Sequence, residues 1–309
     1  MEIAFGNFSL SLNRKQMFRG AVAGEDKAAL LCEQVELVQA PIRARPDLGQ
    51  LISMEKLETR NDVMQAKDLL HDHGAVSIET YFPETDALTL SKQAFELVDS
   101  EKESLKDKRD VERAEYVLLT DSRRGYYDLA GDKKPIVHQR LGADLGMVDI
   151  FNFDRLFGSQ GHQLKAALAE PIVQQLFSES GMKWRPRNLN VYVNRSVIKT
   201  RGFHVDSYGS RQIKAFIYLT NVFELSCGPY TYVLGSHRSD AFQRANIALT
   251  SMGPPFGSTD VLFVDANKVM PFLARAGTLI VSDQSGAHRG YPQDAAASRV
   301  IAVLNFTTF

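Results

Sequence analysis

The chain is poor in cysteine, in net charge and in long apolar runs. Only two of its 309 residues are cysteines, Cys32 and Cys227, far apart and without a CxxC or CxxH neighbour. That spacing indicates neither a disulfide framework nor a cysteine-zinc site, and it fits a reducing, cytoplasmic setting. Charges of the two signs nearly cancel, 36 Lys+Arg against 37 Asp+Glu, for a formal net charge of −1. A nucleic acid or an anionic membrane as main partner normally leaves a basic excess, so neither is expected. No window approaches ~20 consecutive apolar residues, so no bilayer span is expected. The amino-terminal stretch carries Glu2, lacks a basic region and is broken by Gly6, Asn7 and Ser9 before an apolar run forms, unlike a signal peptide.

What is present is an ordinary globular composition, 44% hydrophobic and 24% charged, in a chain long enough to bury a substantial core. Without repeats, low-complexity segments or a clear linker, residues 1–309 read as a single domain in three parts. Residues 1–58 form an N-terminal arm packed on the body. In it Ile3, Phe5, Phe8, Leu10 and Leu12 suggest a hairpin turning at Gly6-Asn7, and Val35 to Val38 suggests a strand.

Residues 59–185 read as a largely helical flanking region. Val63, Ala66 and Leu70 recur at helical spacing, with Asn61 as N-cap and Gly74 as stop, and Ala75 to Glu79 reads as a strand. Residues 84 to about 108 form an amphipathic helix whose mixed charges favour intrahelical pairs and a solvated face. Tyr116 to Leu119 resembles a strand, and Arg123 to Lys134 a loop that could border a pocket or simply connect. Its basic pairs read as solvated surface. Gly161 to Ser180 is helical again, interrupted at Pro171.

From 186 onward strands dominate: Asn188–Asn194, Ile213–Thr220, Tyr230–Leu234, Gly277–Val281 and Arg299–Leu304. A short helix and the loop Gly253-Pro254-Pro255 interrupt them between Ser239 and Lys268. This distribution predicts a mostly β protein with flanking helices, its core an antiparallel barrel or jelly roll spanning 186–309.

Within that core, His204 and Asp206 stand two residues apart, which on an extended segment puts both side chains on one face. His288, arriving from a later strand, would complete two imidazoles and one carboxylate on one side of a metal, the facial triad of non-haem Fe(II) oxygenases. Arg299 opens the last strand, and its planar fork suits a carboxylate near such a metal. Two other clusters read as unrelated to chemistry. His237 stabilises a turn, and His71-Asp72-His73 is a helix-end surface site because neighbours on a helix point in different directions.

Phe203-His204-Val205-Asp206, Lys214 to Val222, Cys227-Gly228-Pro229-Tyr230 through Gly235-Ser236-His237, and Ala287-His288-Arg289-Gly290 together resemble the phytanoyl-CoA dioxygenase family of Fe(II)/2-oxoglutarate oxygenases. The resemblance is clear over residues 186–306 and faint over Leu70–Phe82. It implies a double-stranded β-helix, with His204, Asp206 and His288 on Fe(II) and Arg299 on the distal carboxylate of 2-oxoglutarate. It also implies Asn190 and Tyr192 as cosubstrate contacts and Thr220 in the pocket wall. Val205 stands where the family often has glutamine, and the carboxylate of Asp206 sets the chain apart from halogenating relatives.

The activity so implied consumes O2 and 2-oxoglutarate, releases succinate and CO2, and oxidises, most simply by hydroxylation, a small organic metabolite. A protein hydroxylase of the same architecture, or a metal-binding jelly roll without turnover, is the alternative.

Overall fold

The computed structural model describes residues 2–5, 8–11, 44–106, 135–140, 144, 146–179, 182–238, 241–251, 257–262 and 264–308. The expected hairpin forms from β1 (Glu2–Phe5) and β2 (Phe8–Ser11), with Phe5 opposite Phe8. The strand expected at Val35–Val38, the strand at Tyr116–Leu119, the loop from Arg123 to Lys134 and the Gly253-Pro254-Pro255 loop lie outside the described residues.

After a 3-10 turn at Pro46–Leu51 come β3 (Ser53–Met54) and α1 (Arg60–His73). The helix is capped by Thr59 and not by Asn61. The Thr59 hydroxyl accepts from the Asp62 amide at 3.2 Å and the Asp62 carboxylate accepts from the Thr59 amide at 2.8 Å, so two amide groups at the helix start are satisfied together. Gly74 stops the helix at φ +80°, and β4 (Ala75–Ile78) follows at once. Next are α2 (Glu84–Lys106), β5 (Ile136–Gln139) and β6 (Met147–Phe151), then α3 (Gly158–Leu168) and α4 (Pro171–Gln175), separated where Pro171 requires a fresh start.

The remaining elements are β7 (Trp184–Arg195), β8 (Gln212–Tyr218), β9 (Tyr230–Val233), α5 (Ala241–Thr250), β10 (Val269–Pro271), β11 (Leu279–Asp283), β12 (His288–Gly290) and β13 (Ser298–Thr308).

One eight-stranded sheet runs in the order β3-β4-β11-β8-β13-β7-β6-β5, and a three-stranded sheet in the order β10-β9-β12. The flanking region is therefore less helical than its sequence suggests. β5 and β6, absent from the sequence reading, extend the large sheet beside β7. They were hidden because each is short and places His138 or Asp149 at an inward position, which breaks the apolar alternation that marks a strand.

The large sheet has two chemically different faces. Its outer residues, among them Val76, Val281, Ala215, Ala302, Val191 and Ile150, pack under α1, α2 and α3 through Ala66, Leu70, Leu90, Ala94 and Leu164. Each buried Val, Leu or Ile among them contributes roughly 1.5–3 kcal/mol relative to exposure, and each Ala under about 1 kcal/mol. On the inner face, Phe216, Tyr218, Ile280, Ile301 and Val303 meet Tyr230, Tyr232 and Met270 of the small sheet, together with Phe272 just beyond β10. Two sheets closed over this second core make a double-stranded β-helix, or jelly roll. Among the described residues no helix is long and apolar enough to cross a membrane.

Candidate metal centre

His204 extends the small sheet as an isolated bridge to His288, the first residue of β12. The pairing is reciprocal: the His204 amide donates to the His288 carbonyl at 3.0 Å, and the His288 amide to the His204 carbonyl at 2.9 Å. Directly opposed residues of an antiparallel pair project to the same side, and the two imidazole centroids stand 4.5 Å apart. Asp206, two positions on, returns to that side, with its amide donating to the Gln284 carbonyl at 2.9 Å. One ligand atom from each of His204, Asp206 and His288 falls within 4.8 Å of the other two.

Both rings are oriented for ligation by the backbone. The Nδ1 of His204 lies 3.0 Å from the Gly202 carbonyl oxygen, and the Nδ1 of His288 lies 2.9 Å from that of Gly286. A carbonyl only accepts, so Nδ1 carries the proton in each ring and Nε2 presents its lone pair. The His288 Nε2 faces the Asp206 Oδ1 at 3.7 Å.

Gly286 owes its identity to a neighbour: a Cβ there would fall 1.8 Å from the Tyr232 hydroxyl, which donates to the Asp283 carbonyl at 2.8 Å.

The electrostatics keep all three groups in the forms that bind a cation. Burial pushes His204 well below the ordinary histidine value, and His288 and Arg201 add to the effect. Burial likewise lowers His288, against the opposing pull of Asp206, to about 4. For Asp206, burial favours the neutral acid, but the Lys214 ammonium and the neighbouring imidazoles outweigh it and hold the carboxyl below its usual range. At neutral pH this leaves two neutral imidazoles and one carboxylate, a donor set suited to a divalent transition metal.

Arg299 occupies the inner face of β13, 5% exposed, and donates from Nη1 to the Gly228 carbonyl. Among the described residues no ion pair includes it, and its Nε has no hydrogen-bond partner. Asn194 lies directly opposite Arg299 across the β7–β13 ladder, 4% exposed, and its Oδ1 is unpartnered as well. A buried guanidinium without a carboxylate, beside an unsatisfied amide, is costly unless a polar ligand completes it.

The other sequence candidates are placed as follows. Asn190 and Tyr192 share the inner face of β7 with Asn194. The Asn190 side chain accepts from the Asn188 amide group at 2.6 Å, and the Tyr192 ring lies beneath the Arg140 guanidinium at 5.7 Å. Thr220 turns its hydroxyl to the Val300 amide at 3.0 Å, anchoring the strand one residue beyond Arg299. His237 reaches back to α1, its Nε2 3.0 Å from the His71 carbonyl, and Asp72 pairs with Arg238 at the exposed helix end.

Residues that the sequence did not single out complete the site. Lys214 sits 2.6 Å from the Asp206 Oδ2, and Ser282 joins Gln284 and Tyr230 in a buried network behind His288. Lys214 had one legible signal: a charge at an inward position, between Ile213 and Ala215, of an otherwise apolar strand.

No family model matches the chain, and no curated protein matches its sequence. Solved structures do match. The epimerase SnoN, solved with Fe3+, α-ketoglutarate and nogalamycin RO, is 13% identical, with 81% of this chain and 84% of that chain covered at a TM-score of 0.50. AviO1 from Streptomyces viridochromogenes Tue57 is 14% identical over 82% of this chain and 96% of that one, at a TM-score of 0.48. EvdO2 from Micromonospora carbonacea var. aurantiaca, complexed with 2-oxoglutarate, is 14% identical over 83% and 94%, at 0.46. The chain thus shares with SnoN the double-stranded β-helix that its own two sheets display.

Proposed function

We propose that residues 1–309 form a single Fe(II)/2-oxoglutarate-dependent dioxygenase, similar to the phytanoyl-CoA dioxygenase group, that oxidises a small organic metabolite, most simply by hydroxylation. The observation that carries the reading is the pairing of two incomplete sites on one barrel. Three ligand atoms converge within 4.8 Å, and a buried arginine lies on the inner face without a carboxylate. The first suits a ferrous ion and the second the distal carboxylate of a dicarboxylic cosubstrate. SnoN, which shares the fold, was solved with both Fe3+ and α-ketoglutarate.

When bound, iron with 2-oxoglutarate and O2 supplies the oxidising chemistry, with succinate and CO2 as by-products. The chain itself holds and orients. His204, Asp206 and His288 take one side of the metal and leave the other open. Arg299, braced by the Gly228 carbonyl and faced by Asn194, fixes the cosubstrate's far end. Asn190 and Tyr192, on the same inner face, complete the cosubstrate pocket, and Thr220 secures its wall through Val300. The aromatic core of Phe216, Tyr218, Tyr230 and Phe272 keeps water away from that side.

Anaerobic addition of Fe(II) and 2-oxoglutarate is expected to give a weak visible charge-transfer band, lost in Asp206→Ala while circular dichroism is unchanged. No band from folded wild-type protein, or an equal band from the variant, would refute the assignment.

A further inference from the structure

The two oxygens of Asp206 have different neighbours. Oδ1 lies 3.7 Å from the His288 Nε2, on the ligand side, whereas Oδ2 lies 2.6 Å from the Lys214 Nζ. We infer that Lys214 is a positioning residue that takes Oδ2 for itself, so that Asp206 meets the metal through one oxygen only. This inference rests on the metal-centre reading given above.

Lys214 is well placed for that task. It projects from the inner face of β8, where its register partners are Ser282 on β11 and Asn305 on β13, both uncharged. Its side chain is 16% exposed and that of Asp206 is 24% exposed, so solvent screens the pair only weakly. Asp206 is the one carboxylate paired with Lys214 among the described residues. A charge-assisted hydrogen bond of this kind directs the carboxylate as well as attracting it.

The consequence concerns how many metal positions stay open. A six-coordinate ion held by two imidazoles and one carboxylate oxygen keeps three positions, enough for a chelating 2-oxo acid and one further ligand. A carboxylate that chelates through both oxygens leaves two, which the 2-oxo acid alone would fill. Carboxylates bind metals in either mode, so the single-oxygen mode has to be imposed. With Oδ2 committed to an ammonium on β8, the chelating mode requires breaking a largely buried ion pair.

The test compares wild type, Lys214→Met and Lys214→Arg, using Co(II) affinity and anaerobic Fe(II) with saturating 2-oxoglutarate. Nitric oxide then probes the remaining position by its spin-3/2 resonance. In Lys214→Met, Co(II) should bind no more weakly than in wild type, because a positive neighbour of the dication is gone. The nitric oxide signal should fall roughly tenfold, the scale on which groups behind metal ligands act, and Lys214→Arg should restore most of it.

An undiminished signal in Lys214→Met would overturn the inference. So would weaker 2-oxoglutarate binding with an unchanged signal per occupied site, which would make Lys214 a cosubstrate ligand instead. Loss of Co(II) binding that arginine fails to rescue would assign Lys214 to the fold. Absence of Co(II) binding in wild type would remove the metal-centre reading itself, a separate and recognisable result.

Discussion

Arg299 is a cation kept from water with its Nε unsatisfied, a state that a two-pronged anion relieves. Lysine keeps the charge but offers a single point, so Arg299→Lys should weaken 2-oxoglutarate binding by roughly 10- to 100-fold, the worth of a charge-assisted hydrogen bond or two. Isothermal titration of the metal-loaded protein measures it, and unchanged affinity would remove Arg299 from the cosubstrate site.

His288 makes a second prediction, about pH. Its folded value is about 4 against an ordinary 6.5, so between those pH values the unfolded chain binds the extra proton and the folded one does not. Stability of the metal-free protein should therefore be complete above pH 6.5 and fall as pH drops toward 4, by up to about 3 kcal/mol. Urea unfolding at pH 7 and pH 5 should show a smaller drop in His288→Gln than in wild type.

At the scale of elements, β5 and β6 contribute a buried polar cluster to the inner face. Arg140 grips both Asp149 oxygens, at 2.8 and 3.2 Å, and the His138 Nδ1 lies 3.1 Å from Oδ2. Asp149 is fully buried: burial favours its neutral form, but Arg140 and His138 together hold the carboxyl below its usual range. Asp149→Ala would leave Arg140 only its 3.3 Å pairing with Asp144 and take the buried His138 imidazole's carboxylate away, at a cost of about 3 kcal/mol in urea denaturation. Replacing the pair with apolar residues, Arg140→Met with Asp149→Leu, should recover most of that loss, whereas no recovery would show that the cluster sets strand register and not merely local charge balance.

The same two strands mark the limit of sequence legibility. β8 and β13 could be read because each holds an unbroken apolar run rich in β-branched or aromatic residues, Ala215 to Tyr218 and Val300 to Leu304. A four-residue strand whose inward position is histidine offers no such pattern. The helices were easier: the α1 apolar spacing and Gly74 were plain, and only the cap moved from Asn61 to Thr59, because the reciprocal bond needs a hydroxyl three residues before Asp62.

For the whole molecule, the site joins the two sheets. His204 and His288 belong to the small sheet, and Lys214 and Arg299 to the large one. A metal with its cosubstrate would tie these sheets together and favour the folded state by mass action, about 2.7 kcal/mol at a hundredfold excess over Kd. Co(II) should raise the melting temperature, 2-oxoglutarate should raise it further, and chelator should reverse both. His204→Ala should show neither increment; an equal rise in that variant would place cation binding elsewhere.

The linear chain was enough to mark which residue types could form a metal centre. The two-residue spacing of His204 and Asp206 acts through strand periodicity, and a strand period is a local property. Which distant residues join them is a matter of register, set by packing across two sheets. The bridge that brings His288 opposite His204, the ladder that puts Asn194 opposite Arg299, and the inward turn of Lys214 toward Asp206 all depend on it. A shift of one residue in any of these pairings would turn the side chains to the other face, so the partners were decided by the assembled barrel and by nothing nearer in the chain.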